Sequence, residues 1–540
     1  MNQPAPADRA PSSSAEQDLH DLGRAARRGA VFIPLAKLWF LVSGLLLQIL
    51  LPRALGNAAL FGVWTLVLGW LSTVNNVINT ATIQAVAHFA AAGGDAVERA
   101  KRAALKMNAL IGGGAAVLFF LGAPLIARFE HDGELTNHLR VGAGLILAYS
   151  FYAVFIGAAN GARQFHKQAA LDMAFSATRV ALVVGLAAVT HATLPAVAGW
   201  VLTAVFLLVV AAVVVGLPKP TPGPELPVST MRRYIVWLVL YLGAINILMF
   251  IDGWWLKRLC TEAAGTQLSP AEVKRSVDAL VGVYGAAQTA ARLPYQLILA
   301  VAFIVFPLLS APALQADRAR TRQYITATLR YSLIASLAMV VALAVRPHAT
   351  LRLLYPAEYV TGAPALAVLL AAYACFSLLS IVGTITNSLG RTVQTAAIGG
   401  ATVLLTCGSV YLAIQRALSA GEQPLRAAAL GLLGGMAAGL GLSLIYLWTA
   451  FRATVPPLTL VRLAVGFVLA MALGRVWPAP GTPGLLGSKL GTLLCAGLSA
   501  AVFLATQLIL RELSVHEILS LRRQRSQGGG DGEPGAAAAG

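Results

Sequence analysis

From Val31 onward the chain is a succession of apolar stretches about 20 residues long, and that rhythm constrains the fold more than any single motif. A helix rises about 1.5 Å per residue, so each stretch is long enough to cross the roughly 30 Å of hydrocarbon in a bilayer. Inside that layer every backbone N–H and C=O must be satisfied within the protein, and a lone stretch of this length does so only as a helix. Counting by length predicts about fourteen spans. They lie near residues 31–52, 60–87, 107–127, 141–161, 169–190, 194–217, 233–256, 279–309, 329–346, 362–388, 394–415, 425–449, 457–476 and 489–511. The expected fold class is an all-α polytopic membrane protein. Composition excludes the soluble alternative: 58% of the 540 residues are hydrophobic, 11% are charged, and mean hydropathy is +0.74.

Residues 1–30 are polar and basic, with no apolar segment ahead of Val31, so no cleaved signal peptide is expected. Residues 1–30 and 512–540 are expected to be disordered cytoplasmic tails, the second ending in the low-complexity run GGGDGEPGAAAAG. The most loop-like interior stretch is Lys219 to Thr230, rich in proline, and it divides the spans into halves. The expected organisation is a six-span half at 31–217, a cytoplasmic linker at 218–232, a second six-span half at 233–449 and two further spans within 450–511. A short echo supports the two halves: Phe61-Gly62-Val63-Trp64 opens the second span of the first half, and Val281-Gly282-Val283-Tyr284 opens the second span of the other.

The formal charge of +18 comes from Lys and Arg scattered over short loops, not gathered in one basic domain, which argues against a nucleic-acid partner. With the N-terminus inside, the cytoplasmic loops carry roughly twice the Lys and Arg of the opposite loops, and an even span count places the C-terminus inside too. Lys257 to Asp278 departs from this pattern: it reads as a 22-residue outward loop, yet carries Lys257, Arg258, Lys274 and Arg275. Of the four cysteines, Cys375, Cys407 and Cys495 fall in apolar spans and Cys260 in that loop, with no metal or disulfide spacing.

Charges inside the spans carry the functional signal. A charged side chain at the bilayer centre costs at least about 2.5 kcal/mol, so it faces a cavity or a partner. Arg179 sits near the middle of the fifth span; the structural alternative is a pair with Asp172, two turns earlier on the same face. Arg292 is deep in the eighth span, just before Pro294, which should break the helix. Asp252 lies near the end of the seventh span, where Trp254 and Trp255 alternatively mark an interfacial belt. Lys37 sits about a turn and a half into the first span, within snorkelling reach of the headgroups. Together the four give a net positive set suited to an anionic substrate, with Asp252 the one candidate for ion coupling. Arg163 and Lys167 read as ordinary loop cations. Asn75, Asn76 and Asn79 suit either sugar hydroxyls or interhelical hydrogen bonds, and the glycines of the third and twelfth spans suit close packing.

Three stretches carry a family resemblance: LPRALGNAALFGVW after the first span, MFIDGWWLKR closing the seventh and VGVYGAAQTAARLPYQL opening the eighth. In them, and over about 450 residues from Gly23 onward, the chain resembles the bacterial polysaccharide and oligosaccharide flippases of the multidrug/oligosaccharidyl-lipid/polysaccharide exporter superfamily, which includes Wzx-type proteins and lipid II flippases. The resemblance implies two six-helix bundles around a central cavity, with two extra C-terminal helices. It further implies outward transfer of a polyprenyl-diphosphate-linked oligosaccharide by alternating access in the bacterial inner membrane. Lys37, Arg179 and Arg292 then match the basic residues that such proteins place in the cavity, and Asp252 a carboxylate near the end of the seventh helix. Membrane lipids and polysaccharide polymerase or ligase machinery are the implied partners. No cofactor or metal is expected.

Two other classes fit less well. A cation or drug antiporter of the same superfamily normally carries a carboxylate in its first bundle, where this chain has Lys37. A membrane glycan polymerase or ligase needs a large outward loop with paired acid and base residues, and none is evident. The chain also has no GxxxxGK phosphate loop, so it is not expected to be an enzyme that hydrolyses ATP.

Overall fold

The computed structural model describes residues 39–40, 42–222, 224–265, 269–296, 298, 318–478, 481–482 and 484–513. Every regular element among them is helical. A short helix α1 (Val42–Leu55) is followed by α2 (Ala58–Ala90), α3 (Asp95–Phe129), α4 (Leu135–Gly161), α5 (Phe165–Thr190) and α6 (Thr193–Val215). The middle of the chain forms α7 (Val228–Leu248), α8 (Ile251–Ala264) and α9 (Pro270–Ala291). Then come α10 (Arg318–Ala344), α11 (Pro347–Leu354), α12 (Ala363–Ser388), α13 (Thr392–Ser419), α14 (Pro424–Phe451), α15 (Pro457–Val476) and α16 (Lys489–Ile509).

Twelve of the described helices are long and apolar enough to cross a membrane. The two remaining expected spans, 31–52 and 279–309, run partly outside the described residues, as do the expected tails. The surfaces of the described helices are inverted relative to a soluble protein. Leu110, Leu118 and Leu125 on α3, Val209 and Val213 on α6, and Leu404 on α13 are all exposed. Apolar surface on this scale is stable only against acyl chains. The chain is a multi-pass membrane protein.

The described residues fall into two compact units. The first comprises those of Met1–Thr289 with Leu354–Ala365 and Arg391–Gly439; the second comprises those of Ala290–Leu353, Leu366–Gly390 and Leu440–Gly540. In the first, α2 and α4 pack along much of their length, flanked by α3, α6 and α7. Small residues set the spacing: a Cβ on Gly157 would lie 2.8 Å from Val86 Cβ, and one on Gly161 2.7 Å from Ala90 Cβ. Gly431, Gly435 and Gly439 of α14 meet Val410, Thr406 and Thr402 of α13 in the same way, as the packing expectation required, whereas Gly113, Gly114 and Gly441 face open space. In the second unit α15 and α16 pack on each other and on α10 through Ile334, Val341, Leu463, Ala470 and Phe503. Glu512 closes that layer by accepting from Arg462 (2.7 Å) and Thr459 (3.1 Å).

The proline-rich linker is clasped by α3. Lys106 donates to Glu225 (2.8 Å), Arg102 to Glu225 (3.5 Å) and to Thr221, and Lys101 to the Gly216 carbonyl (3.0 Å). Beyond it, the expected seventh span and outward loop need correcting. The span does not run unbroken to residue 256: α7 stops at Leu248, and a new helix, α8, starts at Ile251. Lys257 to Asp278 is mostly helix, and Cys260 is buried on α8. Density of charge made this segment read as a loop, but Lys257 and Asp278 are paired inside the protein, and Lys274 and Arg258 are paired at its edge.

Candidate functional site

Residues of α8 and α9 converge on Asp252. It occupies the first turn of α8, where unsatisfied backbone N–H groups favour a carboxylate, and it is fully buried. Tyr284 Oη donates to Asp252 Oδ2 (2.6 Å), and Gln288 Nε2 lies 2.9 Å from both carboxylate oxygens. Tyr284 and Gln288 are one helical turn apart on α9, so a single face presents both donors. Asp252 is thus a helix-start carboxylate closed in by two donors from one face of α9. Trp254 stacks on Trp70 of α2 at 4.0 Å and 15°, and Trp255 donates to Cys407 Sγ at 3.3 Å, so both tryptophans are packing residues.

The echoed motifs meet directly. A Cβ on Gly62 would fall 1.9 Å from the Asp278 carbonyl oxygen, and one on Gly282 2.1 Å from the Ala58 carbonyl oxygen. Each glycine lets the other's helix approach backbone to backbone, a reciprocal crossing of α2 and α9 that positions Tyr284.

Arg179 projects from the middle of α5 within the first unit. Its guanidinium carbon lies 5.6 Å from the ring centroids of both Phe40 and Phe175, with Tyr149 beside it. Its Nε is buried without a hydrogen-bond partner, and no carboxylate among the described residues pairs with it, Asp172 included. Rings flanking a guanidinium attract it through their π faces while leaving its N–H groups free to bind something else.

Arg292 belongs to the second unit. Helix α9 ends at Ala291, three residues before Pro294, as the missing proline N–H and its ring clash dictate. Arg292 Nε donates to Tyr373 Oη at 2.9 Å, with its guanidinium carbon 5.5 Å from that ring centroid. Lys37 lies outside the described residues. Asn76 Nδ2 donates to Asn246 Oδ1 (3.1 Å), an interhelical bond between α2 and α7.

Sequence reasoning missed a charged cluster where the α3–α4 turn meets α8 and α9. Lys257 is buried against Asp278 and lies 3.8 Å from Asp132 Oδ2, while Lys274 reaches Asp132 (2.8 Å) and Glu134 (2.5 Å). Beside it is a cavity of about 470 Å³, lined in part by Asp132, Glu134, His138, Lys274 and Asp278. The available signal was the pairing of an acidic turn, Glu130 to Glu134, with four cations far along the chain.

Three comparisons bear on this arrangement. By fold the chain is similar to the lipid II flippase MurJ in an inward closed conformation, with a TM-score of 0.68 at 11% identity over 90% of this chain and 99% of that one. It is also similar to an inward-facing multidrug resistance MATE family transporter (TM-score 0.56, 15% identity, 78% and 94% covered). A third structure, a MOP superfamily transporter from Pyrococcus furiosus, matches with a TM-score of 0.54 at 14% identity over 79% of this chain and 96% of that one. No curated protein sequence matches the chain. Residues 50–364 match the family model described as polysaccharide biosynthesis protein, which is more than half of the chain, and the chain therefore belongs to that family of membrane proteins, with the fold of the MurJ and MATE transporters.

Proposed function

We propose that the protein flips a polyprenyl-diphosphate-linked oligosaccharide from the cytoplasmic to the outer leaflet by alternating access, feeding polysaccharide biosynthesis. The observation that carries this reading is the Arg179 guanidinium: buried in a membrane helix, flanked by rings, with an unpartnered Nε. A cation held there with no counter-ion among the described residues is costly unless an anion visits it, and a diphosphate is an anion with strong acceptor oxygens. Arg179 and Arg292 each supply a guanidinium to the negative part of the cargo in the course of transport, and Lys37 adds a further cation near the cytoplasmic headgroups. The polyprenyl tail stays in lipid throughout. The six-helix halves, residues 31–217 and 233–449, are the moving parts, and Asp252 is the carboxylate that couples an ion to their movement. The membrane is the bacterial inner membrane, with both termini cytoplasmic by the positive-inside pattern.

The test is a reconstituted assay in vesicles with a lipid-diphosphate glycan. Arg179→Ala and Arg292→Ala are each expected to slow transfer about tenfold or more, the factor that about 1.4 kcal/mol of lost interaction produces. Wild-type rates in both variants defeat the assignment of the site. Export of cationic dyes with no glycan transfer favours the antiporter reading.

A further inference from the structure

The cluster at the α3–α4 turn contains a group that none of the cargo chemistry uses. Glu130 is the residue that caps the C-terminus of α3, and it is completely buried. One carboxyl oxygen, Oε1, accepts from the indole N–H of Trp70 at 2.9 Å. The other, Oε2, is buried with no hydrogen-bond partner among the described residues. That buried acceptor lacks a donor, and a single proton is the smallest species that supplies one.

Charge counting leads to the same place. The buried core of the cluster holds Asp132, Asp278 and Lys257, and Lys274 closes onto it from the half-buried side. Two carboxylates against two ammonium groups balance without Glu130. At the rim, the Lys274–Glu134, Arg258–Glu262 and His131–Glu262 contacts bind further charges, and the Arg258 guanidinium lies 4.7 Å from the Phe129 ring centroid. An ionised Glu130 would add an uncompensated negative charge among the rings of Trp70, Phe129 and Trp254, at the negative end of a 35-residue helix. Burial pushes its carboxyl up to about 8, with the Trp70 hydrogen bond and Lys257 pulling the other way.

We propose that Glu130 is a proton-binding site, resident as the neutral acid, whose deprotonation loosens the contacts holding α8 to α2 and to the α3–α4 turn. The links are direct. Trp70 both donates to Glu130 and stacks on Trp254, and Asp132 both neighbours Glu130 and contacts Lys257, so α8 senses that one proton from two sides. The inference does not depend on what the transporter carries.

The experiment is infrared difference spectroscopy on the full chain in lipid nanodiscs, titrated from about pH 6 to about pH 9.5, without cargo. Wild type is expected to show a carboxylic-acid carbonyl band that disappears with a midpoint near 8. Glu130→Gln, which keeps the shape of the neutral acid, should abolish that titration. Trp70→Phe removes a donor that favours the anion, so it should move the midpoint upward by about half a unit or more. A titrating band that survives in Glu130→Gln overturns the proposal, as does a wild type with no such band. Should Glu130→Gln not fold, an unmoved midpoint in Trp70→Phe overturns it equally.

Discussion

Asp252 and Glu130 are both fully buried acids of the first unit, and they differ in the donors they meet. Asp252 receives hydrogen bonds from Tyr284 and Gln288 at the start of a helix, whereas Glu130 receives one, from Trp70. Removing Asp252 strands two donors. Asp252→Ala should therefore lower the thermal midpoint in detergent, by the equivalent of about 1–3 kcal/mol, while Asp252→Asn, which retains an acceptor, should cost clearly less. If Asp252 couples an ion, Asp252→Asn should also lose gradient-driven transport while staying folded. Glu130 links stability to pH. Its folded form keeps the proton up to about 8, against 4.5 for the unperturbed side chain. Between those values the unfolded chain binds fewer protons than the folded one, so stability is fully present below about pH 4.5 and falls as pH rises towards 8. Glu130→Gln should flatten that fall in the thermal midpoint, and a variant whose midpoint still drops by the wild-type amount would contradict this linkage.

At the scale of elements, the crossing of α2 and α9 is the contact on which the first unit's buried chemistry depends. At Gly62 and Gly282 each added Cβ would collide with backbone rather than with a flexible side-chain end, so neither site relaxes cheaply. Gly62→Ala or Gly282→Ala should cost about 1–3 kcal/mol, and each should disturb Asp252 by displacing Tyr284. Gly113→Ala, which meets open space, is the matched control and should leave the thermal midpoint within error of wild type. The FGVW and VGVY echo was legible as a repeat of position, because both motifs open a span. That their glycines touch was not legible, since 220 residues separate them and no local pattern encodes a crossing. The linker shows a related limit. PTPGPELPVST reads as a break in the spans, and it is one, but the grip of Arg102 and Lys106 on it joins elements more than 100 residues apart. Lys106 holds the exposed Glu225 carboxyl below its ordinary range, so this clasp is present near neutral pH and is lost as pH falls through that depressed value. Glu225→Gln should speed hydrogen exchange in the linker without changing exchange in α4.

For the whole molecule, the proposed orientation rests on how 40 Lys and Arg are distributed over the loops. A fluorescent reporter fused after Gly540 should fold and fluoresce, and a periplasm-dependent phosphatase at the same point should be inactive; the opposite pair of results would reverse the proposed topology. Sequence alone determined that this chain is a stack of membrane helices and in which stretches most of them lie. Those properties depend on local composition summed over about 20 residues, and the hydrocarbon layer enforces them whatever the helices pack against. Tertiary structure alone decided what the charges do. Lys257, Arg258 and Lys274 look like loop residues until Asp132, Asp278 and Glu262 are seen beside them. Asp252 looks like a lone carboxylate until Tyr284 and Gln288 close over it, and Glu130 looks like any turn glutamate until it is found buried against Trp70. The strength of an ionic or hydrogen-bonded contact depends on a partner's distance and on the local dielectric, and both are set by segments far apart in the chain.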